Sequence, residues 1–194
     1  MSYKDYAAGK APEFRATFGK EYQPNPVGVN TVIIAKDAEG KDRMLLTLRS
    51  DAHDYKAGGY QVGTGGFMEI KKDSSPFDTA IREMKEESGI DPEECEELVC
   101  RGIVTEEGSA STNVIFETKT SLTVEEIIRR RKEKQMKRGL SAEEAENNLV
   151  FIPTNRIALQ QWLLAPAHAA AGSGLISLIL VGKEFVGRET DAEG

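Results

Sequence analysis

The stretch REMKEESGI, residues 82–90, has the spacing of a helix and an unusual density of acidic side chains. Its glutamates are Glu83, Glu86 and Glu87. Side chains three and four positions apart are neighbours on a helix, where like charges cost roughly 0.2–0.5 kcal/mol per pair. A stable helix here therefore needs something that compensates the repulsion between these carboxylates.

The flanking residues predict where this helix begins and ends. Ser75 followed by Pro76 is typical of an N-cap and a first helical position. Gly89 suits the left-handed conformation just past a helix end. At 100° per residue, one sector beside the glutamates is mostly apolar. Its members are Phe77, Ala80, Ile81, Met84 and Ser88. We therefore expect a helix that packs one side on a core and turns its carboxylates to a cleft.

Carboxylates in this arrangement favour a hard divalent cation. Mg²⁺ takes oxygen ligands and is commonly held by a few carboxylates together with substrate phosphates. A bound cation would remove the like-charge repulsion, and the glycines of GGYQVGTGGFME (58–69) allow backbone to come close to a metal or a phosphate. Spacing alone leaves two interpretations open, which are a metal-held phosphate site and a solvated acidic helix face.

Length and composition indicate a globular protein of one domain. The chain has 194 residues, of which 39% are hydrophobic and 29% charged. The net charge of -7 makes nucleic-acid binding an unlikely function. The longest apolar run, LISLILVG (175–182), is far shorter than the roughly 20 residues that a membrane helix needs, so we expect no membrane partner. Cys95 and Cys100 lack a metal-binding pattern, which favours free thiols and a cytoplasmic location.

The remaining sequence predicts strands and helices in an irregular alternation. We expect strands at 27–36, 43–50, 60–62, 98–107, 111–120 and 150–153, the first two as a hairpin. Besides the acidic helix, we expect helices at 123–138, after Ser141, at 154–164 and within 167–182. This order favours a mixed α/β or α+β sandwich over a regular βαβ parallel sheet.

REMKEESGI has the form Arg-Glu-apolar-any-Glu-Glu-any-Gly-apolar and resembles the second half of the Nudix box. The upstream GGFME resembles the GGxxE that opens that box. The resemblance implies an α/β fold of the Nudix type, an α/β/α sandwich with a mixed β-sheet and a loop–helix–loop catalytic motif. In these terms we expect an N-terminal arm at 1–26, one Nudix domain at 27–187 and a flexible tail at 188–194. A charged helical insertion would occupy about 123–148 of the domain.

The resemblance also implies a function, the hydrolysis of a pyrophosphate in a nucleoside diphosphate linked to another group. The cofactor would be Mg²⁺ or Mn²⁺, which polarises phosphoryl oxygens and lowers the pKa of the attacking water. Carried over to this chain, Glu83, Glu86 and Glu87 would be metal ligands, with the carbonyl of Gly65 as another. Arg82 would orient the glutamates by a charge-assisted hydrogen bond. The resemblance leaves the oligomeric state open, with a homodimer as one possibility because many family members are homodimers.

The first half of the box departs from the family pattern. The family has Gly, five residues, Glu, seven residues and Arg-Glu, which would place the first glutamate at Ser74 of this chain. The loop IKKDSS (70–75) is two residues longer than usual, and Asp73 is the acid that can substitute. An Asp73 that reaches Arg82 favours an enzyme. A loop that bulges into solvent favours the alternative, a Nudix-fold module of little or no activity that binds a nucleotide or a partner.

Other candidate residues lie outside the box. Tyr55, Tyr60 and Phe67 are candidates for stacking on a nucleobase, and Glu69 for contacting the substrate. The box does not fix the general base, for which the candidates are Glu69, Glu106, Glu107, Glu117, Glu143, Glu144 and Glu146. RRRKEKQMKR (129–138) has seven basic residues and one acidic residue. It is either a solvated helix face or a basic lid that receives a phosphate chain.

Overall fold

The computed structural model describes residues 27–49, 60–69, 71–106, 111–137, 147–164, 179 and 181–182. Its strands are β1 (Val27–Lys36), β2 (Asp42–Arg49), β3 (Tyr60–Val62), β4 (Thr64–Phe67), β5 (Val99–Glu106), β6 (Ser111–Thr123) and β7 (Asn147–Pro153). Its α-helices are α1 (Pro76–Glu83), α2 (Val124–Lys137) and α3 (Arg156–Leu164). A π-helical segment, Met84–Ser88, continues α1, and a 3₁₀ turn covers Pro92–Glu94.

The described strands form one mixed sheet. The long strands β1 and β6 pair in parallel, whereas β5 pairs with β6, and β2 with β1, in antiparallel fashion. On the far side of β2, strand β7 adds another antiparallel pair. Strand β1 therefore pairs in parallel with β6 and in antiparallel fashion with its other neighbours.

A glycine-rich segment fills the gap where β1 and β2 separate beyond their short hairpin. There β3 pairs with β2 and β4 pairs with β1, both antiparallel. Gly63 joins the two strands with a φ of 56°, and a Cβ at this position would lie 1.7 Å from the carbonyl oxygen of Thr31. Only glycine fits such a position, so this residue allows one segment to pass from β2 to β1.

Alternating residues of β1 separate two apolar layers. Val32 packs in a cluster with Leu159 and Trp162 of α3 on one face of the sheet. Ile33 packs with Met84 and Ile127, from the acidic helix and α2, on the other face. Side chains of a strand point alternately to the two faces, so both faces of β1 are covered by helix. The structure therefore confirms the α/β/α sandwich.

Several sequence predictions match the structure closely. β1 has the expected bounds, and α2 begins with the expected capping box, in which the amide of Thr123 donates to Glu126 Oε2 over 2.8 Å. The glycine-rich stretch, expected to be mostly loop, contains the additional strand β4. The strand expected at 150–153 begins at residue 147.

Some predictions lie outside the described residues, among them the arm at 1–26, the tail at 188–194, the helix after Ser141 and most of the helix within 167–182. In the part of the chain that is described, no helix is long and apolar enough to cross a membrane.

Candidate functional site

The acidic helix begins at a well-formed N-cap. Ser75 Oγ accepts a hydrogen bond from the amide of Asp78 over 3.2 Å. In return, Asp78 Oδ2 accepts the amide of Ser74 over 2.9 Å. These bonds satisfy backbone donors that a helix start otherwise leaves without partners. Pro76 occupies the first turn, where its missing N–H is not needed, so the helix direction is fixed by local sequence.

The second half of this helix is wider than an α-helix. Residues Met84–Ser88 form one π-helical turn, which ends at Gly89 with a φ of 72°. The helix thus runs to Ser88 and stops at Gly89 as the sequence predicts, although its last turn is π-helical. Ser88 is fully buried and donates from Oγ to the carbonyl oxygen of Met84 over 2.6 Å. Because π-turns are uncommon and are frequent at functional sites, it is notable that Glu86 and Glu87 both lie in this one.

Arg82 is the cation that compensates the acidic side chains. Its NH1 lies 2.6 Å from Glu83 Oε1 and 3.7 Å from carboxylate oxygens of both Glu69 and Glu86. Its NH2 also donates to the carbonyl oxygen of Phe67 over 3.1 Å. The side chain is only 14% exposed, so these charges interact with little screening by water. The repulsion inferred from the sequence is thus offset by a protein cation.

Asp73 completes this network from the loop before the helix. It accepts two hydrogen bonds from Arg82, from Nε over 3.0 Å and from NH2 over 2.9 Å. Thr79 Oγ1 and the amide of Glu69 also donate to its Oδ2. The side chain is 1% exposed, and the Arg82 guanidinium holds the pKa of the Asp73 carboxyl well below its usual range. Asp73 therefore reaches Arg82, and its part of the longer loop folds inward.

Two glycines of β4 bring the backbone against the glutamates. The amide of Gly65 donates to Glu87 Oε2 over 2.9 Å. A Cβ on Gly66 would lie 2.1 Å from Glu83 Oε1, so only glycine leaves room for this carboxylate. Glu83 is 12% exposed, and its burial raises the pKa of its carboxyl, which the Arg82 guanidinium opposes. The backbone of β4 therefore contacts the acidic helix at the carboxylates of Glu83 and Glu87.

The donor chemistry of these carboxylates fits a hard divalent cation, although they do not form a closed cage. Within the described ranges, no three His, Cys, Asp or Glu side chains are grouped closely enough to hold a metal ion. One oxygen of Glu83 is taken by Arg82 and one of Glu87 by the amide of Gly65. The second oxygens of these two carboxylates and the half-exposed Glu86 are the ligands that could hold a cation.

This geometry agrees with comparisons to known proteins. The family model of the NUDIX domain matches residues 25–169. The chain belongs to the Nudix family. A search of curated protein sequences found no match.

Solved structures share the Nudix fold at low sequence identity. The NUDIX domain of Shewanella oneidensis NrtR, in complex with ADP ribose, is 17% identical with a TM-score of 0.54, over 95% of this chain and 99% of that one. A longer NrtR chain in complex with a 27mer DNA is 15% identical with a TM-score of 0.53, over 84% of this chain and 63% of that one. A C. elegans Ap4A hydrolase binary complex is 17% identical with a TM-score of 0.50, over 84% and 98%.

The structure brings the Nudix-box residues together but spreads the other candidates. Phe67 lies at the end of β4 and is 38% exposed, whereas Tyr60 packs edge-on against the ring of Trp162, with the ring centroids 5.3 Å apart. Trp162 itself is buried in the core. Glu69 is half exposed and pairs with Lys72 over 2.9 Å. Phe67 and Glu69 thus lie beside Arg82, and Tyr60 lies against α3.

The candidate general bases differ in availability. Glu117 is buried and accepts a hydrogen bond from Arg101 Nε over 2.8 Å. Glu106 ends β5. Glu107, Glu143, Glu144 and Glu146 lie outside the described residues, as does Tyr55. Among these acids, Glu69 is the one that the structure describes next to the Nudix box.

The sequence did not reveal that the basic helix contacts the acidic one. Lys134 Nζ donates to the carbonyl oxygen of Glu86 over 2.8 Å and also to that of Lys85. Arg130 pairs with Glu94 just beyond the helix end. Their spacing of four residues puts both cations on one face of α2, and this was the one signal of a shared contact. The helix is therefore only partly a solvated face.

Proposed function

We propose that this Nudix protein is a hydrolase that cleaves the pyrophosphate of a nucleoside diphosphate linked to another moiety. The single observation that carries this proposal is the buried Asp73–Arg82–Glu83 network. It gives the box arginine a carboxylate partner although the family glutamate is replaced by Ser74. The arginine is thereby fixed in the position from which it orients Glu83.

The chain's own residues would divide the work as follows. Glu83, Glu86 and Glu87 would hold Mg²⁺ or Mn²⁺, with the carbonyl of Gly65 as a further ligand. When bound, the metal would polarise phosphoryl oxygens and activate water as the nucleophile. Arg82 would keep Glu83 turned towards β4. Gly66, which has no side chain, would leave room for the Glu83 carboxylate against β4.

The substrate proposal is a small molecule that contains a nucleoside diphosphate. The structural neighbours support this class, since one was solved with ADP ribose and another is an Ap4A hydrolase. Phe67, half exposed beside Arg82, is the aromatic side chain best placed to stack on a base. Tyr60 would need to leave Trp162 to do the same, and we propose it only as a contact at the edge of the site.

The alternative is a Nudix-fold module that binds a nucleotide or a partner without turnover. One observation favours this alternative. The amide of Gly65 already donates to Glu87 Oε2, and the described acids do not form a closed metal cage. The NrtR complex with DNA supports widening this alternative to nucleic acid, which composition alone had made unlikely. A homodimer and a cytoplasmic location remain part of the proposal.

The test is hydrolysis of a substrate panel with Mg²⁺ or Mn²⁺. The panel contains ADP-ribose and other nucleoside diphosphate sugars, dinucleoside polyphosphates and nucleoside triphosphates. We expect turnover of one class that is lost on chelation and falls at least about 100-fold in Glu87→Gln. Glu93→Gln, which removes an equal charge at an exposed position beyond the helix, is the matched control and should retain activity. Nucleotide binding without turnover of any member would contradict the hydrolase and support the binding module.

A further inference from the structure

Helix α2 contacts the acidic segment at the end that carries the metal-ligand candidates. Lys134 reaches across from α2 and donates from Nζ to the carbonyl oxygens of Lys85 and Glu86, the latter over 2.8 Å. Both acceptors belong to the π-helical segment. The carbonyl of Lys85 also accepts the amide of Gly89 over 3.2 Å, so it is bonded from two sides.

One turn earlier on α2, Arg130 fixes the chain that leaves this segment. Its NH1 and NH2 each lie 2.6 Å from an oxygen of Glu94, which makes a two-pronged pair, and the pairing lowers the pKa of the Glu94 carboxyl. NH1 also donates to the carbonyl oxygen of Gly89 over 3.4 Å. Between the two helices, Ile127 is fully buried in one cluster with Met84 and Ile90. The contact is therefore both apolar and charged.

The chemistry of a helix end explains why cations lie here. The last carbonyls of a helix have no intrahelical donors and carry the negative end of the helix dipole. Here the helix ends in the π-helical segment Met84–Ser88. Glu86 and Glu87 add two carboxylates to the same turn. A lysine that donates to two successive carbonyls both caps the turn and fixes the direction in which these carboxylates leave the backbone.

We propose that Lys134, supported by Arg130, is a positioning residue that holds the π-helical segment in the shape required for Glu86 and Glu87 to act together. In its catalytic part this inference rests on the proposed function. The face of α2 that carries Arg130 and Lys134 would thus hold the acidic helix in shape. This role replaces the basic lid over a phosphate chain, which the sequence had left as a possibility. In this role Lys134 would act through the backbone carbonyls of Lys85 and Glu86 and not by contact with the substrate.

The first test needs no activity. Amide hydrogen exchange of residues 85–90 is measured in the metal-free protein for wild type, Lys134→Met and Lys132→Met. Methionine keeps most of the apolar stem and removes the charged donor. We expect exchange in this segment to be at least about tenfold faster in Lys134→Met and unchanged in Lys132→Met, which removes the same charge from an exposed position on α2. Equal exchange in wild type and Lys134→Met would overturn the proposal.

The second test separates positioning from substrate binding. With the substrate found in the panel, we expect Lys134→Met to lower kcat about tenfold and raise the Mn²⁺ concentration for half activity, with KM for substrate little changed. Lys134→Arg, which can still donate to the carbonyls, should restore most of kcat. A raised KM with unchanged kcat would instead indicate a lid and would overturn the positioning role. If wild type hydrolyses nothing, the proposed function fails by itself, and the exchange experiment alone decides the role of Lys134.

Discussion

Arg82 has a different partner from the one that the Nudix box prescribes. The family pattern would supply a glutamate at position 74, where this chain has serine. Asp73, one residue earlier, takes up the bond with both carboxylate oxygens. A shorter acid can do this because the loop residue itself is buried, at 1% exposure, beneath the arginine. The acid that pairs with Arg82 therefore lies one residue earlier in the chain than the position of the box glutamate.

Replacing Asp73 by asparagine tests this network. The change removes the most buried of the carboxylates that pair with Arg82, and breaking a buried pair in this way costs about 3 kcal/mol. We expect the urea midpoint at pH 7 to fall accordingly. The exposed Glu93→Gln variant is the control and should unfold like wild type. A midpoint unchanged in Asp73→Asn would contradict the account of Arg82.

The contribution of Asp73 to stability should also depend on pH. The pKa of Asp73 is held below its usual range in the folded protein, so its contribution to stability is complete above the unfolded pKa of about 3.9 and is lost as pH falls towards the folded value. Between pH 7 and pH 3, the difference in unfolding free energy between wild type and Asp73→Asn should shrink by about 1 kcal/mol. A difference that stays constant over this range would show that the network does not lower the pKa of Asp73.

At the scale of the element, two positions near the acidic helix require glycine for different reasons. Gly89 has a φ of 72°, and a Cβ there would meet Arg130 Cβ at an ordinary 3.7 Å. Gly66 lacks room for a Cβ because Glu83 occupies that space. Gly89→Ala should therefore lower stability by about 1 kcal/mol and spare the site, because only backbone strain is added.

Gly66→Ala should instead displace the Glu83 carboxylate. We expect it to reduce hydrolysis at least about tenfold, in keeping with the cost of small displacements at catalytic sites. Kinetics and urea unfolding of the two variants, measured side by side, check the contrast. Equal effects of both substitutions on activity would show that the close approach of β4 to Glu83 is unimportant.

The helix also shows which features can be predicted from sequence. Its N-cap at Ser75 and its stop at Gly89 depend on neighbouring residues and were predicted. The π-turn was not, because apolar spacing over 12 residues hardly distinguishes it from an α-turn. β4 was missed because TGGF has little strand propensity and forms a strand only where β1 and β2 separate. The contact of Lys134 joins residues 48 positions apart, and the spacing of Arg130 and Lys134 on α2 did not identify the partner.

At the scale of the whole molecule, the sheet lies between one of the apolar clusters of the core and the candidate site. Leu159 of α3 is buried with Trp162 and Val32 on the face opposite to the acidic helix. Leu159→Ala should therefore cost about 2–5 kcal/mol in unfolding free energy. At temperatures where the variant stays folded, kcat should remain near wild type. Ile157→Ala on the same helix, at a position 67% exposed, is the control for helix propensity.

The order of predicted strands and helices indicated only a mixed α/β or α+β sandwich. The three-layer α/β/α arrangement was implied by the resemblance of REMKEESGI to the Nudix box, and the family model agrees with that resemblance over residues 25–169. The pairing of β1 with β6 in parallel could not be derived in this way, because it joins strands about 85 residues apart in the chain.

The most direct measurement is the binding of Mn²⁺ to the metal-free protein, followed by the electron paramagnetic resonance signal of the free ion. The account predicts that wild type binds Mn²⁺, that Glu87→Gln weakens binding at least about tenfold, and that Glu93→Gln leaves it unchanged. The unfolding free energies of all three proteins should agree to within about 0.5 kcal/mol. If wild type leaves all Mn²⁺ free, or if Glu87→Gln binds it as wild type does, the acidic helix is not a metal site.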